Sequence, residues 1–353
     1  MLDFLIVGQG IGGTLLAYEL LQRNASFKVI DHFRPKSSSQ IAAGMYNPIV
    51  YRTFQKTWMA DDFLPKARKA YQDLSELLEI SVDYPKSIWK VFGSEAEKAL
   101  WDERRSSEDY QKYMGGIEQN LHPQVHMPFG AGEIRQAGYI DLPVLLQSFR
   151  QFLAQKGLLA EGLMDAKKLE ITEEYAVYGN LKAREVIFSD GLRIEENPYF
   201  QYLPMKAVKG EILTLEIPDF DFSEILNKRV FFIPLGKNQY KVGATYDWNL
   251  NEIPSEKGAD ELLGYLSKYL KIKNFKVIHH QAGIRPTTRD RRPLLGKHPK
   301  FERLNLFNGL GTKGVLNGPF LAENFIQHLT EGTPIMKEAR IERYEQFLGT
   351  TTP

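Results

Sequence analysis

The period of apolar positions changes several times along this chain, and each change predicts an element. Residues 4–7 form a short unbroken apolar run, the pattern of a parallel strand buried on both faces. From 12 to about 23 the spacing becomes helical, with Leu15, Leu16, Leu20 and Leu21 on one face. A second run, KVID, ends at Asp31 and completes a strand-helix-strand unit. Helical spacing returns over 61–78, Pro85 interrupts it, and SIWKVFGS reads as a strand. Residues 95–112 predict a charged helix with a solvated face. The segment YIDLPVLLQSFRQFLAQKG is amphipathic, with Asp141 as N-cap and Gly157 as the stop.

From 158 to 191 the pattern predicts short strands, ending in REVIFSDG. KGEILTLEI and RVFFIPLGKNQYKVGATYDW then alternate with period two around Gly236-Lys237-Asn238, predicting an antiparallel sheet with one face in solvent. A helix over 258–270 follows, and LNLFNGLGTKGVLNGPFLAENFIQHL reads as strand, glycine-rich loop and helix. This order implies an α/β fold of mixed α+β character. A Rossmann-like nucleotide domain takes 1–84, 137–204 and 275–353, and an interleaved antiparallel-sheet substrate domain takes 85–136 and 205–274. There is no internal repeat.

Composition narrows the chemistry. A length of 353 residues supports a large core, and a formal charge of +1 supplies no long-range field to hold a polyanion. The absence of cysteine removes disulfides, thiolate metal sites, thiol nucleophiles and cysteinyl-linked cofactors, and fits a reducing compartment. The apolar start carries Asp3 where a signal peptide would be basic, and no later run has the length of a membrane span, so a cytoplasmic protein is expected.

Gly8, Gly10 and Gly13 have GxGxxG spacing between the first strand and the first helix, with Asp31 closing the second strand. This is a dinucleotide fingerprint in its required context. On this reading the helix N-terminus near Ile11 is expected to face a pyrophosphate and the carboxylate ribose hydroxyls, with a plain structural strand-helix-strand unit as the alternative. A second glycine cluster, Gly309, Gly311 and Gly314, leads into another helix and contains Lys313. In AGIRPTTRDRRPLLGKHPK, Arg285 follows an apolar run and precedes Pro286, so its guanidinium is expected to point inward as a fork for a carboxylate. Arg289, Arg291 and Arg292 read as a solvated loop pairing with acids, with a phosphate patch as the alternative. His279 and His280 point to opposite faces of a strand, so no metal site is expected. Tyr46, Tyr51, Phe54 and Trp58 are core aromatics or an active-site wall. No G-x-S-x-G elbow or P-loop occurs.

Together these motifs resemble, along nearly the whole chain, the D-amino-acid oxidase superfamily of FAD-dependent oxidoreductases. The similarity is to the branch of glycine oxidase, sarcosine oxidase and the oxidase domain of the bifunctional tRNA 5-methylaminomethyl-2-thiouridine enzyme. The resemblance rests on the fingerprint with Asp31, on SQIAAGMYNP, on LPMKAVKGEIL with YKVGATYDW, and on AGIRPTTRDRRPLLG followed by NGLGTKG. It implies noncovalent FAD held by an FAD-binding domain through Gly8, Gly10, Ile11, Gly13, Asp31, Ser39, Ala42, Ala43, Gly44, Met45 and Gly191. Gly311, Thr312, Gly314 and Val315 would hold the pyrimidine end, with Lys313 beside it. It implies Arg285 on a substrate carboxylate, a pocket with Tyr46, Phe231, Phe232 and Tyr246, and oxidation of a small amine or amino acid by hydride transfer to flavin N5. Two departures stand out. RVFFIP has Phe231 and Phe232 where amino-acid oxidases often carry a tyrosine, and FSDG replaces the usual ATG. A tRNA-modifying oxidase acting on a secondary amine of a modified uridine, and a flavin-binding protein without turnover, are the other readings.

Overall fold

The computed structural model describes residues 1–349. Five strands, Leu159–Glu161, Phe27–Asp31, Leu2–Val7, Leu181–Phe188 and Leu304–Asn308, lie side by side in that order and run parallel. The four inner apolar runs are buried on both faces, under long helices on one side and under Ile194, Phe200, Tyr202, Leu203 and Ile341 on the other. Helices Ile11–Gln22 and Gly314–Glu331 pack together on one face. Gly318 makes this possible, because a Cβ there would lie 2.6 Å from the Leu15 side chain. Leu15, Leu16, Leu20, Leu316 and Phe325 share that core.

The second sheet has the strand order Lys276–Arg285, Val208–Glu216, Gln239–Gly243, Phe231–Gly236, Ile225–Asn227, Ile88–Val91, Ala131–Ile134 and Met114–Glu118. Every pair is antiparallel except Ile225–Asn227 with Ile88–Val91. The expected half-exposed sheet is not found. Val208–Glu216 is buried until its last residue, because Leu262, Leu266 and Tyr269 cover the face away from the nucleotide layer. Period two therefore reflects two different buried environments. Strand Lys276–Arg285, expected within the last nucleotide-domain segment, instead forms the edge of this sheet beside Val208–Glu216.

The amphipathic helix spans Leu142–Gln155, capped as expected by Asp141, whose carboxylate accepts from Val144 N–H. The charged segment splits into Glu95–Arg105 and Glu108–Gln111, and it is anchored by fully buried Trp101. No helix among the described residues is long and apolar enough to cross a membrane.

Candidate active site

One continuous cleft runs from the carboxyl ends of the parallel strands to the face of the second sheet, the place where open α/β sheets hold ligands. At its nucleotide end, Gly8 has φ +99, and a Cβ on Gly13 would lie 1.8 Å from the Gly8 carbonyl oxygen. The loop therefore closes tightly enough to bring the first N–H groups of helix Ile11–Gln22 to the cleft. No side chain caps this helix at Gly10, and Ile11 N–H donates to Ser39 Oγ at 3.2 Å. Gly13 packs behind the loop, whereas Gly8, Gly10, Ile11, Asp31 and Ser39 line the cleft.

Asp31 is more engaged than its motif suggests. Its carboxylate accepts from Gln9 N–H at 2.9 Å and from Arg150 Nη1 at 2.6 Å. Arg150, on helix Leu142–Gln155, carries no motif and could not be assigned from sequence.

Ala42, Ala43, Gly44 and Met45 follow along the wall. Gly44 has φ +71, and a Cβ there would sit 1.9 Å from the Ile140 carbonyl oxygen. Tyr46 does not join the wall. Successive residues of strand Met45–Tyr46 point to opposite sides, and Tyr46 is buried with its hydroxyl donating to Asp83 Oδ1 at 2.7 Å. Tyr51 does line the cleft, beside Asn47, and its buried hydroxyl has no well-formed hydrogen-bond partner. Phe54 is core, and Trp58 lies under Arg292, with the guanidinium 4.2 Å from the ring.

Gly191, φ +62, faces the cleft beside Asp190. The Asp190 Oδ1 has no partner, and burial pushes this carboxyl up to about 6. Gly311, Thr312, Lys313, Gly314 and Val315 form the opposite shoulder. A turn over Gly311–Lys313 runs into helix Gly314–Glu331, again without a side-chain cap. Lys313 Nζ donates to Asn47 Oδ1 at 2.8 Å and Thr57 Oγ1 at 2.9 Å. It has no carboxylate partner among the described residues, and desolvation pulls it down to about 8.

Arg285 ends the edge strand, and its guanidinium lies over Gly210, where a Cβ would fall 2.0 Å from Nη2. Its Nη groups donate at 3.4 Å to the Lys209 and Thr245 carbonyls, and Tyr246 stacks 4.7 Å away at the mouth. No carboxylate pairs with Arg285 among the described residues, and burial lowers its pKa. Phe231 lies over Gly243 on the cleft wall. Phe232, expected there too, faces the other way and is fully buried against Phe220 and Tyr240, because neighbours in a strand alternate.

Arg289 and Arg291 are exposed and pair with no acid among the described residues, while Asp290 is taken by Arg343. His280 bonds Glu211 at 2.7 Å and His279 is exposed. No group of metal-ligating side chains occurs among the described residues.

Two helix N-termini without a capping N-cap side chain therefore meet one cleft, with Ser39 Oγ on the Ile11 N–H as the one side-chain acceptor described at the first of them. Their separation along a long cleft, with bare glycine backbone at both, fits an extended dinucleotide with a pyrophosphate at one helix and an electron-rich ring at the other.

The comparisons agree with that chemistry. The family model described as DAO, FAD dependent oxidoreductase, matches residues 3–327. Glycine oxidase of Bacillus licheniformis is 24% identical over 95% of each chain. The tRNA 5-methylaminomethyl-2-thiouridine biosynthesis bifunctional protein MnmC of Leptospira interrogans is 26% identical, over 40% of this chain and 27% of that protein. Among solved structures, iminodiacetate oxidase from Chelativorans sp. BNC1 superposes with TM-score 0.80 at 20% identity, covering 97% of this chain and 98% of that one. Glycine oxidase from Geobacillus kaustophilus also gives 0.80, at 18% identity over 99% and 98%. The chain belongs to the DAO family of FAD-dependent oxidoreductases and is an enzyme that uses FAD.

Proposed function

We propose that this enzyme oxidises the C–N bond of a small amine or amino acid bound by its carboxylate to Arg285. The observation that carries the reading is the unpaired guanidinium on the cleft wall: a desolvated cation with only long bonds to carbonyls gains most from an incoming anion. FAD, when bound, would supply the acceptor, at flavin N5, for a hydride from the carbon beside the amine nitrogen. The neutral amine would thereby be left as an iminium ion, which water would hydrolyse to a carbonyl compound and ammonium or a protonated amine.

Protein groups supply the rest. Arg285 and the Tyr246 ring fix the carboxylate end, and Phe231 restricts the approach over Gly243. Gly8 to Ile11, Asp31, Ser39, Ala42 to Met45 and Gly191 would hold the adenosine and pyrophosphate end. Gly311 to Val315 would hold the pyrimidine end, where Lys313 and the helix N-terminus favour negative charge. The absence of cysteine supports noncovalent FAD and a cytoplasmic setting.

Anaerobic mixing with glycine, sarcosine, D-amino acids and secondary amines tests the reading. At least one should bleach the visible flavin band in the wild type and far more slowly in Arg285→Ala; no bleaching across the panel would sink it.

A second reading, oxidation of a modified uridine in tRNA, draws on the rim. Tyr246 and Trp248 are 68% and 61% exposed, and Lys206 stands 4.8 Å over Trp248, an arrangement suited to stacking and phosphate contact. Filter binding of tRNA at low and moderate salt decides it: no salt-sensitive retention rejects the RNA substrate.

A further inference from the structure

The sheet wall of the cleft is a row of residues crossing four adjacent strands. Ile212 faces Gly243, Gly243 faces Phe231, and Phe231 faces Asn227 in direct cross-strand register. Cross-strand partners share a face, and all four line the cleft. Arg285, spread over Gly210, stands at one end of this wall and Asn227 at the other. From the Gly210 strand to the Asn227 strand is three strand spacings, about 14 Å between backbones. An α-amino acid held on Arg285 is too short to touch both ends.

The far end is built to bind something. Asn227 is 5% exposed, and its buried Oδ1 has no hydrogen-bond partner. Such an amide is costly unless a ligand completes it, and by turning over it presents N–H donors as readily as oxygen. Two residues on, Arg229 lines the same cleft, is exposed, and lies 5.3 Å from the Tyr265 ring with no acid beside it among the described residues. Lys228 and Lys90 adjoin this corner, and the nearest acid, Glu97, reaches Lys90 only at 3.9 Å. The corner is therefore net positive.

We propose that Asn227 and Arg229 form a second anion subsite, and that the substrate is an elongated amino acid whose far end carries another carboxylate. This rests on the reading of Arg285 given above. The α-carboxylate sits on Arg285, the chain passes Phe231 and Gly243, and the distal carboxylate takes hydrogen bonds from the Asn227 amide and the Arg229 guanidinium.

The test uses the FAD-loaded enzyme and ligands it does not oxidise. Straight-chain dicarboxylates from succinate to suberate, and monocarboxylates of the same carbon number, are titrated while the flavin absorbance spectrum is followed. Diacids should bind tighter than their monoacids by about tenfold, the effect of one charge-assisted hydrogen bond, with an optimum at adipate or longer. Arg229→Gln and Asn227→Leu should each bring the diacid-to-monoacid ratio towards one, and Arg229→Gln, at an exposed site, keeps the test sound if the buried variant misfolds. Equal binding of diacids and monoacids in the wild type, or an unchanged ratio in Arg229→Gln, overturns the subsite. Monocarboxylate binding that survives Arg285→Ala overturns the underlying reading instead.

Discussion

The two ends of this cleft are built by different means. The end proposed for the cofactor comes mainly from three contiguous stretches, 8–13, 38–45 and 309–315, each carrying its own backbone geometry, with Asp31, Asp190 and Gly191 beside them. The end proposed for the substrate comes from pairing: Arg285, Gly210, Phe231 and Asn227 share one wall only because their strands align in one register. A motif records the shape of a local turn, which a sequence states directly. A pocket across strands records which residue faces which, and a one-residue slip would turn the whole set away. Changes at the first end should therefore act through the flavin, and changes at the second through the substrate.

The largest effect is expected from Gly13→Val. The added Cβ would lie 1.8 Å from a backbone oxygen, so the fingerprint loop must move rather than a side chain. FAD affinity should fall on the order of 100-fold, the scale of ~3 kcal/mol of overpacking, and the protein should purify without visible flavin absorbance yet with its far-ultraviolet circular dichroism intact. A yellow Gly13→Val protein would break the contrast between the two ends.

Arg285→Ala comes next. Loss of a desolvated partner for a carboxylate costs about 2 to 5 kcal/mol, so kcat/KM for a carboxylate-bearing substrate should drop roughly 30-fold or more while flavin content holds. Gly210→Ala sharpens this, because its methyl group displaces the guanidinium without removing it. Its loss should be smaller, about tenfold, the scale of a partly broken charged hydrogen bond. Equal flavin content with no kinetic change in either variant would remove Arg285 from the substrate site.

How much of this was legible follows the same division. The parallel layer, the fingerprint, the capped helix at Asp141 and the glycine turn before Gly314 could be read because each depends on residues a few positions apart. Arg285 was readable from its place between an apolar run and Pro286. The platform beneath it was not, since Gly210 lies 75 positions earlier in the chain. The resemblance puts Tyr46 and Phe232 in the pocket, and strand alternation sends both away from it. Arg150 and Asn227 gave no signal, because their significance lies in a partner gained or lacking in three dimensions.

A smaller, pH-dependent effect separates Lys313 from its surroundings. Desolvation lowers it to about 8, below its ordinary 10.5, so the unfolded chain holds this proton more tightly. Its contribution to folding stability therefore rises as pH climbs from about 8 towards 10.5. Lys313→Met in FAD-free protein should lose that rise and melt a few degrees higher at pH 7, as roughly 1 to 2 kcal/mol would give in a chain this long. Thermal melts from pH 7 to 10 check it, and parallel curves for the two proteins would show that the ammonium is solvated.

The smallest effect tests the one place where the cofactor end departs from its motif. Asp190 stands in FSDG, and burial raises its carboxyl from 3.8 to about 6, with Glu196 adding to the rise and Arg193 opposing it. The folded state here binds the proton more tightly, so this group's contribution to stability is complete below about 4 and declines as pH rises through 6. Asp190→Asn keeps the shape and removes the charge. It should match the wild type near pH 4 and exceed it at pH 7.5 by roughly 1 kcal/mol in urea unfolding, since part of the side chain still meets solvent. A constant difference across that range would mean that the carboxylate is solvated. A widening one would show that the departure, visible in the sequence only as FSDG in place of ATG with Gly191 kept, placed an uncompensated charge beside the fingerprint.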